Sequence, residues 1–153
     1  MTNASVANTP SANTPSALSS SRSAELDVPT QALGLTQGIA YVGMGRWPTV
    51  SLRSFAWVTG PKPEGWLVKA VGLLLITIGA SMVRGARNEE LKSVPILGIG
   101  TGAALGGVAL HYAAKKRISP VYFLDSALHL GFVAAWSAVL LLRAARKRRV
   151  RVA

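Results

Sequence analysis

Residues 66–83 (WLVKAVGLLLITIGASMV), 94–114 (VPILGIGTGAALGGVALHYAA) and 121–142 (VYFLDSALHLGFVAAWSAVLLL) are three apolar runs separated only by short charged connections. The hydrocarbon core of a bilayer is about 30 Å thick and an α-helix rises about 1.5 Å per residue, so about 20 apolar residues cross it. Each run has that length. A helix satisfies its backbone N–H and C=O groups internally, which hydrocarbon demands. The fold class is therefore all-α, a multi-pass membrane helical bundle.

The stretch before these runs is weaker. Asp27-Val28-Pro29-Thr30 has the form of a helix start, with Asp27 as N-cap and Pro29 in the first turn, where its missing N–H costs little. The apolar run that follows carries Gly34, Gly38, Gly43, Gly45, Gln31 and Gln37, and Arg46-Trp47-Pro48 is expected to end it. Thr49 to Val58 sets Arg53 among Leu52, Phe55 and Trp57, the pattern of a segment lying along the interface. Two arrangements follow: four transmembrane helices, the first at about residues 28–45, or three with 28–58 on the surface. The four-helix bundle is the preferred expectation.

Residues 1–26 are rich in Ser, Thr, Asn, Ala and Pro and bury too little apolar surface to offset ordering entropy, so they read as a disordered tail. They lack the basic and apolar regions of a secretory signal peptide. The transmembrane bundle occupies 27–142 and a basic tail occupies 143–153. The formal charge of +11 is concentrated in loops and span ends. Arg143, Arg146, Lys147, Arg148, Arg149 and Arg151 follow the last span and suit anionic lipid on the cytoplasmic face. With Arg22, Arg84, Arg87 and Lys92 they outnumber the basic residues of the other side in the four-span arrangement. The positive-inside rule then puts the C-terminus in the cytoplasm. The same distribution argues against nucleic acid as partner, since no soluble domain carries a basic groove. The lipid bilayer is the partner implied, with a membrane protein or a second copy as a further one. The absence of cysteine rules out disulfides and thiolate metal sites.

Within the second apolar run Gly98, Gly102 and Gly106 recur at four-residue spacing, the small-residue stripe that lets helices approach closely in lipid. Packing inside the bundle, rather than between copies, is the expected use. The last run has a small face of Ala127, Gly131, Ala134, Ala135 and Ala138. Asp125, His129, Phe132 and Trp136 lie on the opposite face. Gly131 is expected to join Gly98, Gly102 and Gly106 as a packing residue.

The ionisable groups inside the runs are Lys69, His111, Asp125 and His129, all placed by helix direction toward the outer leaflet. Two readings compete. One is a polar cluster handling protons or a ligand, because an aspartate one turn from a histidine favours the charged imidazole. The other is an Asp125–Lys69 ion pair tying two helices, with the histidines hydrogen-bonded locally. No HExxH, nucleophile elbow, P-loop or CxxC is present, and Gly98-Ile99-Gly100-Thr101-Gly102 lies inside an apolar run rather than after a strand. No catalytic residue, metal site or cofactor is assigned.

Trp66-Leu67-Val68-Lys69-Ala70-Val71-Gly72 and Arg117-Ile118-Ser119-Pro120-Val121-Tyr122-Phe123-Leu124-Asp125 resemble stretches of small bacterial inner-membrane proteins with four helices, DoxX-like in size and layout. The resemblance covers about half the chain. It implies a four-helix bacterial inner-membrane fold and no particular chemistry. The expected function is a non-enzymatic scaffold or accessory subunit, the alternative a small carrier or proton-linked protein using Lys69, His111, Asp125 and His129.

Overall fold

The computed structural model describes residues 15–88 and 93–152, with side chains placed from Val28 onward except at 146, 147 and 150–152. It is all-α: α1 (Pro15–Val50), α2 (Leu52–Thr59), α3 (Gly65–Arg87), α4 (Val94–Ala114) and α5 (Val121–Val152). Three helices are long and apolar enough to cross a membrane, over Gly65–Arg87, Val94–Ala114 and Val121–Ala145. They coincide with the three apolar runs.

α1 differs from expectation at both ends. It begins at Pro15 rather than at Asp27, and it continues past Pro48 to Val50. Residues 1–14 of the expected disordered tail lie outside the described residues, as does Lys92; residues 15–26 belong to α1. Proline inside a helix removes one backbone hydrogen bond. At Pro48 the ring is buried and its Cγ faces Gly72 of α3. One turn back, the Thr49 hydroxyl donates to the Gly45 carbonyl at 2.8 Å. Packing against a neighbour thus holds the helix at the proline, whose missing N–H falls opposite the Met44 carbonyl.

The buried positions of α1 are Thr30, Gly34, Gln37, Gly38, Tyr41, Gly45 and Pro48, a stripe with three- and four-residue spacing. Its partner stripe on α3 is Gly72, Leu75, Gly79, Met82, Gly85 and Ala86. The two helices run antiparallel with their glycines in register. A Cβ on Gly38 would sit 2.8 Å from the Gly79 carbonyl oxygen, and one on Gly79 would sit 2.5 Å from that of Gly38. Gly45 and Gly72 oppose one another in the same way, with 2.7 Å from a Gly72 Cβ to the Gly45 carbonyl. At the far end, a Cβ on Gly34 would meet Val94 and Ala86.

α4 and α5 form the second pair, and α1 touches both. Among the described residues α3 and α5 make no contact, because α1 lies between them. The least apolar long segment of the chain is thus its central one. The core gathers Tyr41, Leu75, Met82, Val94 and Trp136, with Leu33, Met44, Ile78 and Leu97 packed around them.

The connections are short, and those before α2 and after α4 are capped. α2 is an amphipathic helix of about two turns: Leu52, Phe55, Ala56 and Thr59 face the bundle while Arg53 and Trp57 are exposed. Ser51 caps it, its hydroxyl accepting from the Ser54 N–H at 3.4 Å. The Trp47 ring meets Phe55 edge-on at 5.5 Å, and the Lys62 ammonium lies 5.2 Å from the Tyr122 ring centroid, joining α2 to the start of α5. Of the segment expected over residues 49–58, Thr49 and Val50 belong to the end of α1 and the rest forms this short amphipathic helix. Between α4 and α5 the chain turns at Lys116 (φ 55°), where Lys116 N–H donates to the Ala113 carbonyl and Arg117 N–H to that of Tyr112. That pair of bonds is a Schellman C-cap.

Candidate functional site

α4 supplies the floor of the site. Its buried face is Val94, Pro95, Gly98, Gly102, Gly106, Ala109 and Ala113. Because glycine carries no Cβ, side chains from α1 and α5 reach the α4 backbone. A Cβ on Gly98 would lie 2.6 Å from Gln37 Oε1 and collide with the Trp136 indole nitrogen. A Cβ on Gly102 would lie 3.0 Å from Val133, and one on Gly106 3.0 Å from the Cβ of His129. The Gly98, Gly102 and Gly106 stripe is spent on packing within the chain.

Gln37, wholly buried on α1, joins three helices. Its amide nitrogen donates to Tyr41 Oη at 2.7 Å and to the Gly98 carbonyl at 3.0 Å. Trp136 Nε1 donates to Gln37 Oε1 at 2.6 Å. The indole N–H only donates, so the amide orientation is fixed and both of its N–H groups are used. Above it the Tyr41 ring packs against His129, with centroids 5.5 Å apart and planes inclined by 52°, and meets Phe132 edge-on at 6.5 Å. His129 Nε2 lies 3.6 Å from Asp125 Oδ1, with the His129 side chain 2% exposed and that of Asp125 30% exposed. His129 Nδ1 is buried without a hydrogen-bond partner. Ser126 closes the row by donating to the Gly106 carbonyl at 2.8 Å.

The polar groups therefore form one file along the α1–α4–α5 interface, from Trp136 and Gln37 through Tyr41 and His129 to Asp125. It differs from the expected cluster in three respects. Lys69 is exposed on α3, and α1 stands between α3 and α5, so the expected Asp125–Lys69 pair does not form. His111 is exposed and stacks edge-on with its neighbour Tyr112, away from the file. Gly131 is also exposed, and a Cβ there would meet nothing within 4 Å, so it is not a packing residue of this bundle. The reason is the orientation of α5. It turns Ser126, His129 and Trp136 inward, and leaves Ala127, Gly131, Ala134 and Ala138 on the outside.

Gln37 and Tyr41 are the members that sequence reasoning missed. Their signal was the same stripe that holds Gly34, Gly38 and Gly45, which places Gln37 and Tyr41 one turn apart on a helix face rich in glycine. Among the described residues no three His, Asp or Glu side chains converge in a way that could hold a metal ion. Arg148 and Arg149 of the basic tail are exposed and helical, since α5 continues to Val152; the side chains of Arg146, Lys147 and Arg151 lie outside the described residues.

No protein-family model, no curated protein and no solved structure matches the chain.

Proposed function

We propose that the chain is a four-span integral membrane protein of non-enzymatic character, an accessory or scaffold subunit that offers the outer face of α5 to a transmembrane helix of another protein or of a second copy. The observation that carries this reading is the exposed row Ala127, Gly131, Ala134 and Ala138. Small residues at four- and three-residue spacing let another backbone approach, and in lipid that close fit replaces the hydrophobic drive for association. Gly38, Gly45, Gly72, Gly79, Gly98, Gly102 and Gly106 are covered from within the chain, and the other exposed small row among the described residues, Gly100, Ala103, Ala104 and Gly107 of α4, is the alternative contact face.

A fourth span is supported by the antiparallel register of α1 with α3. A helix in backbone contact with a membrane span at both Gly38–Gly79 and Gly45–Gly72 shares its depth. Counting basic residues then favours an arrangement with both chain ends in the cytoplasm, and the membrane proposed is the bacterial inner membrane. The chain has no cysteine, so single reporters can be introduced cleanly. Ser20→Cys and Ala145→Cys are expected to react with an impermeant maleimide from one side of oriented vesicles and Ser119→Cys from the other. Labelling of Ser20→Cys together with Ser119→Cys would refute the fourth span. Gly131→Leu is expected to leave the purified chain at least as stable as the parent, because an exposed helical glycine gives way to a better helix former. The same change is expected to abolish a recurrent stoichiometric complex, or the chain's own dimer, in mild detergent. A complex that survives Gly131→Leu and Ala134→Leu together would sink the α5 assignment.

A second reading, a proton-linked or carrier protein, draws on His129, whose Nδ1 is buried without a partner while Nε2 faces Asp125. Lys69 and His111 do not contribute to it. Proton-coupled solute flux in liposomes that is lost in Asp125→Asn and His129→Gln would favour this reading over the first.

A further inference from the structure

On the side of the α1–α3 seam that faces away from α4 and α5, the two helices leave an open groove of about 670 Å³. Ile39 and Val42 of α1 and Ala80 and Val83 of α3 form its walls, and Arg84, Arg87 and Asn88 stand at one end. Ile39 is 61% exposed, so the apolar part of the groove opens outward and not into the core. Arg84 and Arg87 are three residues apart in the last turns of α3 and share a face. Both are exposed, as is Asn88. They stand at the end of a membrane-spanning helix, where lipid headgroups lie.

We propose that this groove binds one anionic phospholipid, with an acyl chain along Ile39, Val42, Ala80 and Val83 and the phosphate held by Arg84 and Arg87. The assignment rests on the juxtaposition of a length of apolar wall with paired guanidinium groups at headgroup depth. Guanidinium presents a planar fork of donors that matches phosphate oxygens, and Asn88 adds an amide donor for the glycerol or headgroup. A zwitterionic lipid would fit the walls equally but would bring a cationic group toward the two arginines. This site is separate from the basic C-terminal tail. Glu89 and Glu90 follow in sequence outside the described residues, so loss of the arginines measures what they contribute above that acidic background.

The test is native mass spectrometry of the full chain in detergent, titrated with phosphatidylglycerol and phosphatidylcholine of equal chain length. The parent is expected to retain one phosphatidylglycerol preferentially. Arg84→Gln with Arg87→Gln is expected to weaken that retention by about 10–30-fold, the worth of two basic side chains near an anionic surface. Ala80→Phe, or Ala80→Leu as the milder variant, fills the walls and is expected to reduce retention of both lipids while the arginines remain. Three outcomes overturn the proposal: equal retention of the two lipids by the parent; loss that follows Arg148→Gln with Arg149→Gln and not Arg84→Gln with Arg87→Gln; or displacement of the lipid by inorganic phosphate alone, which would assign the arginines to a free anion. The site requires α1 to lie in the bilayer beside α3, as in the four-span reading. The cysteine labelling tests that reading by itself, so its failure and a failure of lipid selectivity are told apart.

Discussion

Gly79→Ala is expected to lower the stability of the purified protein, whereas Gly107→Ala is expected to raise it. The substitution is identical and both positions are helical, so intrinsic propensity contributes the same sign to both, about 1 kcal/mol in favour of alanine. The surroundings decide the difference. At Gly107 the new methyl meets nothing within 4 Å. At Gly79 it would stand 2.5 Å from the Gly38 carbonyl oxygen and 2.9 Å from the Val42 nitrogen, both backbone atoms that cannot rotate aside. α1 must move away from α3 along the seam, and overpacking of this kind costs about 1–3 kcal/mol. Thermal unfolding in one detergent, with Gly38→Ala and Gly45→Ala as companions, measures it. Equal melting temperatures for Gly79→Ala and Gly107→Ala would mean that the two helices are not in backbone contact.

Gln37→Leu is the second large effect. The side chain is of similar size, but the change removes the acceptor of the Trp136 N–H and the donor to the Gly98 carbonyl and Tyr41 hydroxyl. Trp136 is wholly buried, and an orphaned buried donor costs about 1–3 kcal/mol. Hydrogen bonds between membrane helices average less than this when the unfolded helices find other partners, so the lower half of the range is the expectation. The diagnostic measurement is a double-mutant cycle. Trp136→Phe removes the indole N–H, so Gln37→Leu should cost less in that background than in the parent. Strict additivity of the two changes would show that the Gln37–Trp136 bond does not hold α1 to α5.

Both effects concern α1, the part of the fold least legible in the sequence. Runs such as 73–76 or 139–142 announce themselves because leucine, valine and isoleucine are scored as favourable in hydrocarbon. Gly34, Gly38, Gly45 and Gln37 lower the same score, yet they are the residues that fit between other helices. A scale of transfer into lipid is blind to transfer into protein. The Gly98–Gly102–Gly106 stripe was readable because its four-residue spacing is a packing signal independent of hydropathy. α1 carries that four-residue step once, at Gly34 and Gly38; its further step, Gly38 to Gly45, is seven residues long and is matched by Gly72 to Gly79, a match visible only when the two helices are laid antiparallel.

The polar groups teach a related lesson. Asp125 and His129 share a helix face by their four-residue offset, and the structure keeps them together. Lys69 and His111 share only their depth with this pair. Depth fixes a residue's height in the bilayer but not its direction around the axis, and α1 between α3 and α5 separates them sideways. For α5 the sequence offered two patterned faces without saying which one turns inward. Trp136 and His129, as the larger groups with polar atoms to satisfy, take the interior, and Gly131 is left outside.

In the four-span arrangement the central position of α1 also sets a timetable for synthesis. The ribosome delivers this helix first, while every surface that suits its glycines is still unmade. Gly72 and Gly79 emerge only after α2 and the turn at Gly60, and Gly98 and Trp136 come later still. Until then α1 is a poor guest in hydrocarbon, with little reason to leave the shelter of the insertion machinery. The later helices are apolar enough to enter lipid as they appear. Translation order and assembly order are thereby uncoupled: α1 is made before α3, yet it settles only when α3 arrives to receive it.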